Sequence, residues 1–204
     1  NILDFNILKK SKYNFNKNRE IYLLFILAIA TFLRLFNLGN NPNGFFCDEA
    51  SNGYDSYSIL HTLKDQHGQF LPLFARALDD YRPSLYIFLT VPFVKLFGLN
   101  EFATRFPAAL VGVLTVLVLY YLAKEIFNEK VGLFSAALLA ISPWHIQFSR
   151  IAFEAILIPL FLSLGILFFI KSFKNANYLI VSALSFALSL HTYQAARVFV
   201  SLFV

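Results

Sequence analysis

Asp48 and Glu49 stand side by side just beyond the first apolar stretch of the chain. A carboxylate there can take a proton from an acceptor hydroxyl or amine as a new bond forms, with its neighbour as ligand or orienter. The pair also fits a plainer role, with Asp48 as a helix N-cap and Glu49 as a first-turn acid favoured by the helix dipole. The two roles are compatible, because a cap is a rigid place to mount a base. A second charged set lies in residues 142–154, a segment that carries Pro143, His145, Arg150 and Glu154. A spacing of four predicts Arg150 and Glu154 on one helix face, as a local ion pair or as a phosphate-binding guanidinium oriented by the carboxylate. Glu154 falls inside an apolar stretch, where a charge is expensive unless it faces protein or a water-filled cavity. Arg34 and Arg105 lie at the ends of other stretches, where each can snorkel or join Arg150 around an anion. His145 and His191 are isolated near stretch ends, which suits interfacial side chains better than metal ligands. No cofactor is certain from the residues, and a divalent metal is left open.

The elements that must hold these groups are membrane helices. The chain has 204 residues, 58% of them apolar, with 25 Phe and a mean hydropathy of +0.62. Soluble domains average roughly 45–50% apolar residues, so this excess, gathered in long runs, reads as membrane spans. Spans are expected at 21–38, 106–123, 131–148, 151–170 and from Tyr178 to near Leu190. They are helical, because lipid offers no water to backbone groups and no barrel alternation is visible. The single cysteine, Cys47, excludes an internal disulfide framework. The net charge of +5 does not call for nucleic acid, because Lys9, Lys10, Lys12, Lys17 and Arg19 cluster before the first span. That cluster suits a cytoplasmic anchor beside anionic lipid, so residues 1–20 are read as a basic cytoplasmic segment and 21–204 as the membrane domain. The chain begins without Met and ends inside an apolar run, and it reads as part of a longer protein.

One further apolar run, 83–98, contains Pro92 and Lys95. Its length and its proline place it in the interface rather than across the bilayer. The lysine-bearing loops at 124–130 and 171–174 then join the N-terminus in the cytoplasm, as the positive-inside rule prefers. Arg34, Arg105, Arg150 and Glu154 emerge on the side of Asp48. The long loop 39–105 is then external, with a turn at 41–44. An amphipathic helix over 48–63 follows, with Ala50, Tyr54, Tyr57 and His61 along one side. The expected architecture is an all-α polytopic transmembrane protein.

These pieces together resemble the N-terminal half of glycosyltransferase family 39, within the membrane-embedded GT-C superfamily. That family includes the dolichyl-phosphate-mannose–protein mannosyltransferases and the bacterial lipid A aminoarabinose transferases. The resemblance runs from near Arg34 to near Arg197. It rests on Asp48-Glu49-Ala50, on Arg82-Pro83-Ser84-Leu85-Tyr86, on Arg105-Phe106-Pro107-Ala108-Ala109-Leu110, and on residues 142–154. It implies a GT-C fold with juxtamembrane helices in the first external loop. It also implies an inverting transfer, on the external face, of a sugar from a polyprenyl-phosphate donor to a protein or lipid acceptor. It places the base at Asp48, the second acid at Glu49, and basic positions near the lipid phosphate at Arg105 and Arg150. Glu154 stands where relatives often carry Asp, and Tyr81-Arg82-Pro83 where they more often carry His-Pro-Pro. The implied partners are the lipid-linked sugar, the acceptor and membrane lipids. Other classes fit parts of the pattern: a transporter or lipid flippase with Glu154 as a relay, or a structural membrane subunit. The oligosaccharyltransferase branch usually shows a paired acidic motif after the third span, where this chain has Glu154 alone.

Overall fold

In a computed structural model, residues 17–77 and 80–203 are described. The basic positions Lys9, Lys10 and Lys12 lie outside the described residues. The apolar runs become helices. The elements in chain order are α1 (Lys17–Leu35), α2 (Cys47–Thr62), β1 (Phe74–Ala77), β2 (Asp80–Pro83) and α3 (Leu85–Phe97). They continue with α4 (Glu101–Ile126), α5 (Glu129–Ile141), α6 (Pro143–Ser149), a 3₁₀ turn (Glu154–Ile156), α7 (Leu157–Ser172), α8 (Tyr178–Leu190) and α9 (Gln194–Phe203). Asn100 starts α4 by accepting the Ala103 N–H at 2.8 Å, and Asn128 starts α5 by accepting the Val131 N–H at 3.1 Å.

Two expected spans change form. The run 131–148 is not one straight helix: α5 stops at Ile141 and α6 leaves it at 62°. Pro143 has no N–H for the Leu139 carbonyl, so the ladder fails there. The run 151–170 begins late, because residues 151–153 are non-helical and the α-helix starts at Leu157. Arg150 and Glu154 therefore do not share a helix face, and the ion pair expected from their spacing is replaced by other partners. Among the described residues two helices are long and apolar enough to cross a membrane, α4 and Glu154–Ser172, with the bent α5–α6 pair as a third. That is fewer than the five spans expected. α1 carries charges in its first and last turns, and α8 has 13 residues. α3 also has 13 residues, about 20 Å of helix against about 30 Å of hydrocarbon.

α4 is the centre of the bundle. On one side Ala108 and Val111 pack with Tyr86, Ala152, Ile156, Leu157 and Leu160. On the other, Val116 and Tyr120 pack with Ala30, Ala136 and Ala140. On the second side the small residues Ala30, Ala136 and Ala140 let the helices approach closely. Large apolar side chains such as Leu24, Phe25, Phe134, Phe169 and Ile180 point outward, as lipid-facing residues do. At one end of the bundle Arg19 pairs with Glu129, and Lys174 with Glu125. This gathers the start of α1, the end of α4, the start of α5 and the end of α7. The opposite end carries Arg34, Arg105, Arg150 and the acidic pair.

The segment 39–105 is built rather than extended. Helix α2 falls within a residue of its expected bounds, but Phe46, not Asp48, is its N-cap. Its outward side carries Ala50, Tyr54, Tyr57 and His61, with the Tyr57 and His61 rings 4.5 Å apart. Its inward side is largely polar: Glu49, Asn52, Asp55 and Ser56 are buried beside Ile59. The Ser56 hydroxyl donates to Ile87 O at 3.0 Å, tying α2 to α3, and Tyr86 donates to Thr104 O at 2.8 Å, tying α3 to α4. The antiparallel hairpin β1–β2, with Ala75 opposite Arg82, precedes α3.

Candidate functional site

Two adjacent acids diverge at the start of α2. Glu49 turns inward, where Arg105 Nε donates to its Oε1 at 2.8 Å and Nη2 to its Oε2 at 2.9 Å. Oε1 also accepts the Ala152 N–H at 2.8 Å, and Oε2 the Phe46 N–H at 3.2 Å. Burial would raise the Glu49 pKa. The Arg105 fork, the two backbone N–H groups and the guanidinium charge outweigh it and hold the carboxyl below its usual range. Asp48 turns outward. Its side chain keeps 33% exposure against 4% for Glu49, and Arg82 Nη1 lies 3.3 Å from its Oδ1. β2 supplies that guanidinium: Arg82 also donates to Ser51 Oγ at 2.8 Å and to Asp48 O at 3.3 Å. Its buried Nε has no hydrogen-bond partner among the described residues.

Asp48 opens onto a groove of about 660 Å³. Phe45 and Phe46 form one wall, with Phe148, Ile151 and Phe153 facing them. The extended segment after α6 reaches this groove because α2 holds both backbone groups of Ala152. Glu49 takes its N–H, and Asn52 Nδ2 donates to its carbonyl at 2.9 Å. Glu154 follows directly and is 3% exposed. Arg82 and Asp48 are among the charges that act on it. Among the described residues no salt bridge forms at Glu154, and no three His, Cys, Asp or Glu side chains converge to hold a metal ion.

The remaining arginines bind the chain itself. Arg105 is fully buried and directs all its N–H groups to acceptors of the protein: besides Glu49, these are Leu38 O, Pro42 O and Gly44 O at 3.3, 3.0 and 2.6 Å. Arg150 closes α6 and donates to Leu33 O, Phe36 O and Asn41 O at 2.7, 2.8 and 2.8 Å. The two guanidinium groups thus interleave along the connection between α1 and α2. Arg34, 0% exposed, donates to Ala30 O, Ala140 O and Leu139 O, and its Nη2 lies 2.9 Å from His145 Nδ1. It replaces donors that the Pro143 break removes from the end of α5. A guanidinium only donates, so His145 Nδ1 accepts and the ring carries its proton on Nε2.

Of the side chains expected to meet, Asp48, Glu49, Arg105, Arg150 and Glu154 do gather at one end of the bundle. They do not form one anion pocket, because Arg105 and Arg150 are occupied by carbonyls. Arg34 lies a layer deeper, against α5 and α6. His145 is paired with Arg34, and the His191 ring lies 5.2 Å from Phe74. Arg82 was expected only as part of a motif, yet it is the cation paired with Asp48. Its sequence signal was its place in a short strand, where alternation sends Arg82 and Tyr81 to opposite faces.

The family model for dolichyl-phosphate-mannose-protein mannosyltransferases matches residues 81–204. The "Putative mannosyltransferase YkcB" of Bacillus subtilis is 26% identical over 166 residues, covering 79% of this chain and 22% of that protein. An "Uncharacterized protein" of Aquifex aeolicus is 29% identical over 159 residues, covering 74% of this chain and 30% of that one. The chain therefore spans less than a third of the length of these relatives. Among solved structures, the apo oligosaccharyltransferase of Archaeoglobus fulgidus superposes with a TM-score of 0.69 at 18% identity, covering 91% of this chain and 25% of that one. That likeness establishes a shared fold.

Proposed function

This chain belongs to the dolichyl-phosphate-mannose-protein mannosyltransferase family, and from that premise we propose that it forms the base-bearing part of a membrane glycosyltransferase. The donor is a sugar on a polyprenyl phosphate, and the acceptor is a protein or lipid. The observation that carries the reading is Asp48, a part-exposed carboxylate at an apolar groove with Arg82 beside it.

In this reading the groove's aromatic walls receive the isoprenoid end of the donor. The acceptor oxygen or nitrogen attacks the anomeric carbon, and Asp48 takes the proton that leaves the acceptor. The bond from that carbon to the phosphate oxygen breaks, and the polyprenyl phosphate departs with the electron pair. Attack from the face opposite the leaving group inverts the configuration. Arg82 is the cation nearest the base, and we place the leaving phosphate against it, where a guanidinium fork stabilises developing charge. Arg105, Arg150 and Arg34 then act by positioning, because they are buried and their guanidinium groups already bond the chain itself. Glu154 is buried and couples electrostatically to Arg82 and Asp48.

The lysines at 124, 130, 171 and 174 lie at the other end of the bundle. The positive-inside rule therefore supports a cytoplasmic position for them and an external one for the groove. The test is transfer from a defined polyprenyl-phosphate sugar by the full-length protein in nanodiscs. Asp48→Asn is expected to abolish product, and unchanged transfer overturns the reading. Ion-dependent uptake without any glycosylated product selects a transporter instead.

A further inference from the structure

We infer that Ser51 and Gln66 are positioning residues, which together hold the Arg82 guanidinium against Asp48. The inference rests on the transferase reading, because it assigns further parts to the same site.

The guanidinium needs a holder. Arg82 reaches Asp48 from β2, 34 positions further along the chain. Its two contacts with that residue, Nη1 to O and Nη1 to Oδ1, are both 3.3 Å, at the weak end for an N–H donor. The 2.8 Å bond from Nη2 to Ser51 Oγ is the shortest that the guanidinium makes. Ser51 therefore sets where the fork lies. It follows Asp48 by three positions on α2, which puts both on one side of the helix.

Ser51 accepts this bond only while its hydroxyl is turned the right way. A hydroxyl has one proton and two lone pairs, and a proton aimed at Arg82 would lose the contact. Gln66 settles the rotation. Its Nε2 donates to Ser51 Oγ at 2.9 Å, so the oxygen meets two donors with its lone pairs and turns its proton toward neither. The same Nε2 donates to Asp55 Oδ2 at 3.3 Å, and the Gln66 N–H donates to Asp55 Oδ1 at 2.9 Å. A carboxylate accepts and does not donate, which directs the nitrogen end of the Gln66 amide to this side. Asp55 is fully buried on the inward side of α2. Main chain and side chain of Gln66 are thus both fastened to the helix that carries Asp48.

The turn between α2 and β1 delivers Gln66 to that place. Asp65 is 3% exposed, and its Oδ1 accepts the His67 and Gln69 N–H groups at 2.9 and 2.8 Å. The Leu71 N–H donates to Leu63 O at 3.0 Å and closes the turn. Asp55 and Asp65 are buried carboxylates with no part in the transfer itself. In this arrangement they seat Gln66, and through Ser51 they reach Arg82.

The experiment measures kcat at saturating polyprenyl-phosphate sugar for the full-length protein in nanodiscs, with each variant made alone and in an Arg82→Gln background. Ser51→Ala is expected to lower kcat about 10- to 100-fold, the scale of an ångström of misplacement, and Gln66→Leu several-fold. Ser51→Thr keeps the oxygen and is expected to retain most of the rate. In the Arg82→Gln background neither Ser51→Ala nor Gln66→Leu should slow transfer further, because a residue that acts through Arg82 has nothing left to position. Unchanged kcat in both single variants overturns the inference. So does a loss that repeats in full in the Arg82→Gln background, which is the mark of a general loosening of the fold. Either outcome leaves the transferase reading standing. That reading fails separately, if the wild type yields no glycosylated product or if Asp48→Asn yields as much as the wild type.

Discussion

Glu49 and Arg105 form a two-bond fork, at 2.8 and 2.9 Å, in which both side chains are almost wholly buried. One residue earlier in the chain, Asp48 is left at the groove. A single residue step along α2 thus separates a carboxylate that holds the fold from one that is available to a substrate. Removing one partner of a buried pair leaves the other charge uncompensated, at a cost of about 3–5 kcal/mol. Glu49→Gln and Arg105→Met are each expected to lower the melting midpoint clearly in detergent scanning fluorimetry. Asp48→Asn is expected to leave it almost unchanged and to remove transfer. A large loss of stability in Asp48→Asn would contradict this division.

Arg82 gives a second expectation. Loss of one well-placed donor to developing charge slows catalysis by about 10²–10³-fold. Arg82→Gln should therefore reduce kcat by that order at saturating donor. Arg82→Lys should keep part of the rate, because an ammonium supplies charge but not the planar fork. Wild-type turnover by Arg82→Gln would move the leaving phosphate elsewhere.

The pH dependence of stability follows from Glu49. Its folded pKa is depressed, so its contribution is complete above the unfolded value, near 4.5. It is lost as pH falls through the folded value. Melting midpoints measured from pH 6 downward should fall below that point. In Glu49→Gln this part of the decline should be absent, and an identical acid profile in the variant would refute the assignment.

Close packing around Gly112 yields a fourth. A Cβ built there would lie 2.5 Å from Ser149 Cβ and 3.0 Å from Arg34 Nε. Gly112→Ala must push α4 away from α6 or dislodge the Arg34 guanidinium from the end of α5. Overpacking of this kind costs about 1–3 kcal/mol, readable as a lower unfolding midpoint. A neutral or stabilising effect would show that α1, α4 and α6 are less tightly joined than the contacts indicate.

Much of this arrangement was legible in the residues. The turn at 41–44 followed by Asp48 and Glu49 located α2, and the apolar runs located the bundle. The roles of the arginines were not legible. A cation at a helix end reads as a receptor for an anion, but its competitors are carbonyls that the fold orphans at long range. Arg105 finds Leu38, Pro42 and Gly44, and Arg150 finds Leu33, Phe36 and Asn41, partners that no local spacing reveals. The spacing of Arg150 and Glu154 misled because it presumed an unbroken helix across residues 151–153. Pro143 was visible, but its effect depended on Arg34 being present to take up the freed carbonyls. The polar inward face of α2 escaped apolar periodicity for the same reason: its partners lie on α3 and beside Ala152.

The connection between α1 and α2 is gripped through its main chain by Arg105 and Arg150, and of its side chains Leu38 is buried while Asn43 is exposed. Side chains along it, such as Asn43, are therefore open to exchange for a fluorophore or an affinity handle without loosening the grip. A reporter could be mounted at the rim of the groove on a segment whose path is dictated from elsewhere.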